Sequence, residues 1–168
     1  MKKSLVLGIS FALVYFSSCD FNTSKKLVEL SPYIENKTDV FTIESPRSWE
    51  VDSVQTVIRP FAAMSQNEQQ FVIVATVLHN DRSVEEFADE RVAAYEEQYR
   101  GFKLIDITSE ENTVFLRYET SDEEVGYHQY TIMRIDKHDS HFYGTDCTYE
   151  SNLEKDTAEY ILKSMKFN

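Results

Sequence analysis

Glycine is scarce in this chain, with four among 168 residues. That scarcity leaves no Gly-rich loop to cradle a phosphate and no Gly-x-Ser-x-Gly turn to present a nucleophile. Cysteine is rarer still: only Cys19 and Cys147 occur, so there is no Cys-x-x-Cys pair for redox or zinc chemistry. His-Glu-x-x-His is absent too. The apolar run over residues 5–16 falls short of the roughly 20 residues a membrane span needs. Positive charge is also in short supply, with 17 basic against 29 acidic residues and a net charge of −12. A body this acidic repels phosphate backbones and anionic head groups, which argues against nucleic acid as a partner. There is no sustained internal repeat and no low-complexity tract.

What is present begins with the first nineteen residues. Lys2 and Lys3 form a positive start, residues 5–16 an apolar stretch of signal-peptide length, and Ser17-Ser18 a small pair before Cys19. Phe16-Ser17-Ser18-Cys19 resembles the lipobox of bacterial lipoproteins, although Phe16 stands where Leu is usual and Ser18 is a less common residue before the cysteine. The resemblance implies a signal peptide over residues 1–18 and acylation, including palmitate, at Cys19. One acyl chain binds a bilayer only marginally, at about 0.8 kcal/mol per buried methylene. The two or three chains implied here would anchor the protein stably. The expected location is therefore the cell envelope, outside the cytoplasm and held to a membrane through Cys19. Asp20 resembles an inner-membrane retention signal of enteric bacteria, but inner and outer membranes both stay open.

Losing residues 1–18 removes Lys2 and Lys3, so 17 basic residues fall to 15 against 29 acidic, a net charge of −14. With Cys19 acylated, Cys147 has no partner within the chain, so packing must hold the fold without a disulfide. Residues 19–38 read as the lipidated cysteine and a polar tether. Residues 39–168 read as one folded domain, since 42% of the sequence is hydrophobic and 13% aromatic.

Within that domain, 41–44 alternate as a strand and Pro46 interrupts them. Residues 53–61 suggest a second strand, and 62–70 a loop. Residues 71–78 are almost continuously apolar and predict a central strand covered on both faces. Ser83-Val84-Glu85-Glu86 matches a capping box and opens a helix. Its apolar stripe includes Val84, Phe87, Ala88, Val92, Tyr95 and Tyr99, and Gly101 ends the helix near the expected C′ position. Four more strands are predicted over 102–108, 113–120, 125–135 and 141–149. Their short polar turns favour an antiparallel meander. Ser151-Asn152-Leu153-Glu154 is a second capping box, opening a helix to about residue 165. The order predicts an α+β fold: a three-layer α/β/α sandwich around a central antiparallel sheet.

Three motifs resemble the PsbP-like group. They are Phe41-x-Ile43-x-x-Pro46-x-x-Trp49, Ser83-Val84-x-x-Phe87, and Tyr160-Ile161-Leu162-x-Ser164-Met165-x-Phe167. That group includes an extrinsic photosystem II protein, a Ran-binding nuclear-transport factor and many bacterial lipoproteins. The likeness spans about residues 39–168 and is carried by structural positions. It implies a fold and transfers no chemistry. Trp49 is expected to plug the end of the sheet.

Candidate chemistry is sparse. His138-Asp139-Ser140-His141, with Asp136, Asp146 and Cys147 nearby, gathers metal-ligand types, but no zinc spacing, and it reads as a polar turn. His141 lies about 20 Å from Cys147 along a strand, beyond proton-transfer reach. His128 is expected near Tyr149 on the neighbouring strand, on the face of Cys147, so a thiol hydrolase using Cys147 and His128 is one reading. The leading expectation is a non-enzymatic binding or assembly module with an envelope protein as partner. No catalytic residue, metal or cofactor is assigned. Tyr95, Tyr99 and Tyr127 are the expected binding surface, with core packing as the competing role for each. A small-ligand or ion carrier with a sheet–helix cleft is the third reading.

Overall fold

The computed structural model describes residues 31–67, 69–78, 81–124 and 126–168, apart from the Leu153 side chain; the expected signal peptide and Cys19 lie outside them. The described chain runs β1 (Tyr33–Lys37), β2 (Phe41–Pro46), β3 (Glu50–Val51), β4 (Phe61–Met64), β5 (Phe71–Leu78) and α1 (Val84–Gln98). It continues with β6 (Lys103–Glu110), β7 (Thr113–Asp122), β8 (Tyr127–His138), β9 (His141–Tyr149), α2 (Asn152–Ser164) and β10 (Lys166–Phe167).

Seven strands form one antiparallel sheet in the order β3-β4-β5-β9-β8-β7-β6. After β5 the chain crosses the sheet through α1 to the far edge at β6. The meander β6 to β9 then returns to pair with β5. Strands β1, β2 and β10 make a smaller antiparallel sheet. Side chains alternate across β8 and β9, so each strand feeds two cores. Val114, Leu116, Met133, Ile135 and Phe142 pack beneath Val84, Phe87 and Ala88 of α1. Ile132, Tyr143, Cys147 and Tyr149 pack on the other face with Ala158, Ile161 and Leu162 of α2 and with Phe41 and Ile43 of β2. The result is an α/β/α sandwich, the layered plan expected from the sequence.

Local chemistry explains both helix starts. In α1 the Ser83 side chain accepts from the Glu86 amide while Glu86 reaches back to the Ser83 amide. Ser151 and Glu154 do the same for α2. Each pair satisfies donors that a helix otherwise leaves open. The structural motifs of the sequence find their reasons in the core. Phe41 and Ile43 are fully buried, Trp49 is buried beside them, and Phe87 stacks on Phe142 at 4.3 Å. Ser164 ties α2 to β2 by accepting from the Glu44 amide at 2.9 Å.

Several expectations are corrected. The folded part begins before residue 39, because β1 falls inside the expected tether and pairs with β2 from Tyr33↔Pro46 to Lys37↔Thr42. Residues 53–60 are not a strand: Val54, Val57 and Ile58 are exposed. The strand comes later as β4, starting at the last residue of the expected strand and running into the expected loop, because Phe61 and Ala63 are the residues that reach the core. β5 is covered fully on one face only. Val72 and Val74 are buried on one face, whereas Val77 on the other is 39% exposed, because α1 packs over β6, β7 and β8 and leaves the β3-β4-β5 end open. The helix cap is Tyr99, and Gly101 follows it by two residues, one beyond the C′ position. A Cβ at Gly101 would lie 2.0 Å from the Ser121 carbonyl oxygen, so glycine is required there by close backbone approach.

The meander turns are tighter than expected. β8 and β9 join through Asp139-Ser140 alone, with Asp139 in the left-handed region at φ 50°. β6 and β7 join through Glu111-Asn112, with Glu111 at φ 45°. Two-residue turns of positive φ match the natural strand twist.

Candidate functional site

Tight turns fix the register, and the register decides the site. Because β8 runs on to His138, Tyr130 pairs with Tyr149 and Ile132 pairs with Cys147. His128 therefore lies past the end of β9, four residues and about 13 Å along the strand from the residue opposite Cys147. It contacts Glu119 at 3.4 Å and the Tyr130 ring instead. Cys147 is fully buried in the α2-side core, and burial, then the Asp146 charge, push its thiol pKa up. The expected Cys147–His128 pair does not form. A nucleophile needs a base within hydrogen-bond reach and a thiolate to begin with.

The polar cluster at the β8–β9 turn also disperses. His138 stacks on Phe167 at 4.3 Å, His141 contacts Ser140 at 3.2 Å, and Asp136 pairs with Arg134. Among the described residues, no three His, Cys, Asp or Glu side chains converge on a point that could hold a metal.

Arg134 is a feature that sequence reasoning missed. It points into the α2 side of the sheet and donates to the Leu162 and Met165 carbonyl oxygens at 2.6 and 3.1 Å. Those carbonyls belong to the end of α2, where cations are favoured. Asp136 neutralises the guanidinium at 2.8 Å and accepts from Thr113 at 2.7 Å.

Asp146 sits on the opposite face of β9 from Cys147, under the C-terminal half of α1. There a cavity of about 280 Å³ opens between helix and sheet. Strand alternation supplies its floor: Tyr118 and Thr120 from β7, Gln129 and Thr131 from β8, Asp146 and Thr148 from β9. Tyr95 and Tyr99 descend from the end of α1, Tyr127 closes the side at the start of β8, and Phe71 closes the opposite side from β5. The three tyrosines expected to form a binding surface are thus brought to one cavity. Tyr95 is half-buried, while Tyr99 and Tyr127 are 44% and 45% exposed, so those two are not core residues. Tyr95 stands 5.4 Å, ring to ring, from both Tyr99 and Tyr118.

The electrostatics of the cavity centre on Asp146. Its carboxylate accepts from the Tyr118 hydroxyl at 3.3 Å. Burial pushes the carboxyl pKa up to about 6, against the opposing effects of that hydrogen bond and of Arg91. From α1 the groups facing it are Arg91 and Tyr95, and from β7 Tyr118. Its cross-strand partners, Ile73 on β5 and Met133 on β8, carry no charge. Among the described residues no Lys, Arg or His forms an ion pair with it. Arg91 acts from farther off and lies over the Phe87 ring at 4.9 Å. Burial and Asp146 push the Tyr95 hydroxyl up to about 12 and raise Tyr118 as well. Those two hydroxyls therefore stay protonated, as donors. No His or Cys is found among the described lining residues, so the cavity offers rings, hydroxyls and one carboxylate, and no nucleophile–base pair.

A larger hollow of about 480 Å³ adjoins at Phe71, over the open β3-β4-β5 end. Val51, Ala62, Met64 and Ile73 line it together with the charged Glu50, Asp52 and Arg59, of which Arg59 and Asp52 bind each other at 2.9 Å. It lacks the converging polar groups that orient a ligand. No described helix is long and apolar enough to cross a membrane.

No protein-family model matches this chain, and no curated protein matches it in sequence. Solved structures do. Cyanobacterial PsbP from Synechocystis superposes with a TM-score of 0.61 at 9% identity, covering 84% of this chain and 95% of its own. LpqN of Mycobacterium tuberculosis, described as involved in cell envelope biogenesis, superposes with a TM-score of 0.54 at 9% identity, covering 81% of this chain and 89% of its own. At such identity the likeness establishes architecture and leaves the chemistry of the site to the residues themselves: the chain has a PsbP-like fold.

Proposed function

We propose that this chain is a lipid-anchored protein of the bacterial cell envelope that binds and does not catalyse, with the tyrosine cavity as its binding site. One observation carries the reading: Tyr95, Tyr99 and Tyr127, on two separate elements, converge with Asp146 on a single cavity. Such a concave site, with a few converging polar groups among aromatic walls, is the usual form of a ligand pocket. The lipobox-like run before Cys19 supports the anchor. The fold shared with LpqN, described as involved in cell envelope biogenesis, is compatible with the location. The binding-module and small-ligand readings of the sequence meet at this cavity, and its occupant is an envelope component.

A photo-crosslinking amino acid placed at Tyr99 or Tyr127 in intact cells tests the site, with exposed Ser109 on β6 as control. The expected result is an adduct at the two cavity positions and none at position 109. Equal adducts at all three positions, or none, would contradict it. Labelled palmitate tests the anchor: incorporation should disappear in Cys19→Ala, and label that persists refutes acylation at that residue.

A further inference from the structure

We propose that the occupant of the tyrosine cavity presents a small organic cation, an ammonium or quaternary ammonium group, seated against the tyrosine rings with Asp146 as its counter-ion. This rests on the reading of the cavity as the binding site. Three observations bear on the class of ligand. The first is the carboxylate itself. A half-buried acid is costly unless something compensates its charge, and within the described chain only the Tyr118 hydroxyl bonds to Asp146. The basic group that acts on it, Arg91, lies over the Phe87 ring and makes no ion pair with Asp146. The charge is thus left for a ligand to meet.

The second observation is the wall. Tyr95, Tyr99, Tyr118 and Tyr127 line the space together with Phe71, and aromatic faces attract cations through their quadrupole. The buried members keep their hydroxyl protons, so the cage stays neutral and Asp146 supplies its formal charge. No Lys or Arg is found among the described lining residues, so nothing there would receive a phosphate or carboxylate ligand. The third is size. About 280 Å³ lies at the small end of ligand sites, enough for a head group or a metabolite fragment and too little for a folded peptide segment. A net charge of −12 draws cations to the surface as a whole.

The test uses the purified full-length chain in detergent and isothermal titration at pH 7.5. The probes are choline, ethanolamine, and dimethylbutanol, the uncharged carbon isostere of choline. Choline or ethanolamine should bind saturably, with the isostere weaker by about tenfold. Asp146→Asn should remove that preference. Tyr95→Leu should weaken the cations more than the isostere. Circular dichroism melts of both variants confirm that they fold. A cation that binds free in solution is a soluble ligand. One that binds only as short-chain phosphatidylcholine or phosphatidylethanolamine, with the same dependence on Asp146, is a lipid head group. Equal binding of choline and isostere, or full cation affinity in Asp146→Asn, overturns the cation assignment. If cavity crosslinks persist while no cation binds, the ligand class is wrong and the binding site stands. If neither is seen, both readings fall.

Discussion

Replacing Asp146 by Asn should make the protein more stable, and the gain should depend on pH in a specified direction. Burial raises the Asp146 carboxyl from its ordinary 3.8 to about 6 in the folded chain. A raised acid favours the folded state when protonated. That contribution is fully present below the unfolded value of 3.8 and is lost as pH rises through about 6. Above pH 7 the ionised Asp146 therefore costs stability, and the neutral Asn variant does not carry the cost. The separation of the two values corresponds to roughly 3 kcal/mol at full burial. Because Asp146 is half-buried and borders a cavity, solvent trims this to roughly 1–3 kcal/mol. Asn keeps an oxygen that can accept from Tyr118, so the hydrogen bond at 3.3 Å need not be lost. Urea unfolding of wild type and variant between pH 4 and pH 8 measures the difference, and general repulsion among the acidic residues cancels in the comparison. The variant midpoint should exceed the wild-type midpoint by roughly 1 M at pH 8 and converge with it at pH 4. A difference that stays flat with pH, or a wild type that is the more stable at pH 8, would refute the reasoning. A residue that reduces stability at working pH is expected where binding requires it.

Other outcomes follow from the same packing. Arg134→Ala removes both bonds to the end of α2 and leaves Asp136 buried without its cation; a loss of about 3–5 kcal/mol is expected in urea unfolding, and adding Asp136→Asn should return part of it. Gly101→Ala places a Cβ against the Ser121 carbonyl and should cost about 1–3 kcal/mol in thermal unfolding; a neutral effect would contradict the close approach. The Cys147 peptide, mapped by mass spectrometry, should resist iodoacetamide in the native protein and label only on unfolding, since the thiol is buried and its pKa raised; native labelling at the unfolded rate would reopen the thiol reading.

The parts of the fold legible in sequence are those whose cause is local. Ser83–Glu86 and Ser151–Glu154 each close their own helix within four residues, so both starts are visible without tertiary information. β5 is found at its full extent because its apolar run is long, and β9 because polar residues bound it at both ends. β1 escapes because Tyr33-Ile34-Glu35-Asn36-Lys37 is polar and draws its order from pairing with β2. Residues 53–60 mislead in the opposite sense. Val54, Val57 and Ile58 have strand propensity but no core to face, while the true strand holds the poor strand formers Ala62 and Ala63.

The site divides in the same way. Tyr95, Tyr99 and Tyr127 are visible as aromatic residues on surface-facing elements. Their convergence depends on α1 crossing the sheet and on the β8–β9 register, which a two-residue shift of the turn would alter. Asp146 is noticed in the sequence only as part of a polar cluster. Its signal is an acid embedded in the buried strand Phe142-Tyr143-Gly144-Thr145-Asp146-Cys147, a local conflict of the kind that marks functional positions. Strand alternation then separates it from Cys147 and delivers it to the tyrosines.

The central claim, that the tyrosine cavity is a binding site for a cationic group, is tested most directly by NMR of the full-length protein titrated with tetramethylammonium. Ring-proton shifts should saturate at Phe71, Tyr95, Tyr99, Tyr118 and Tyr127 and vanish in Asp146→Asn. Shifts scattered over the acidic surface, or shifts that survive in that variant, would contradict the claim.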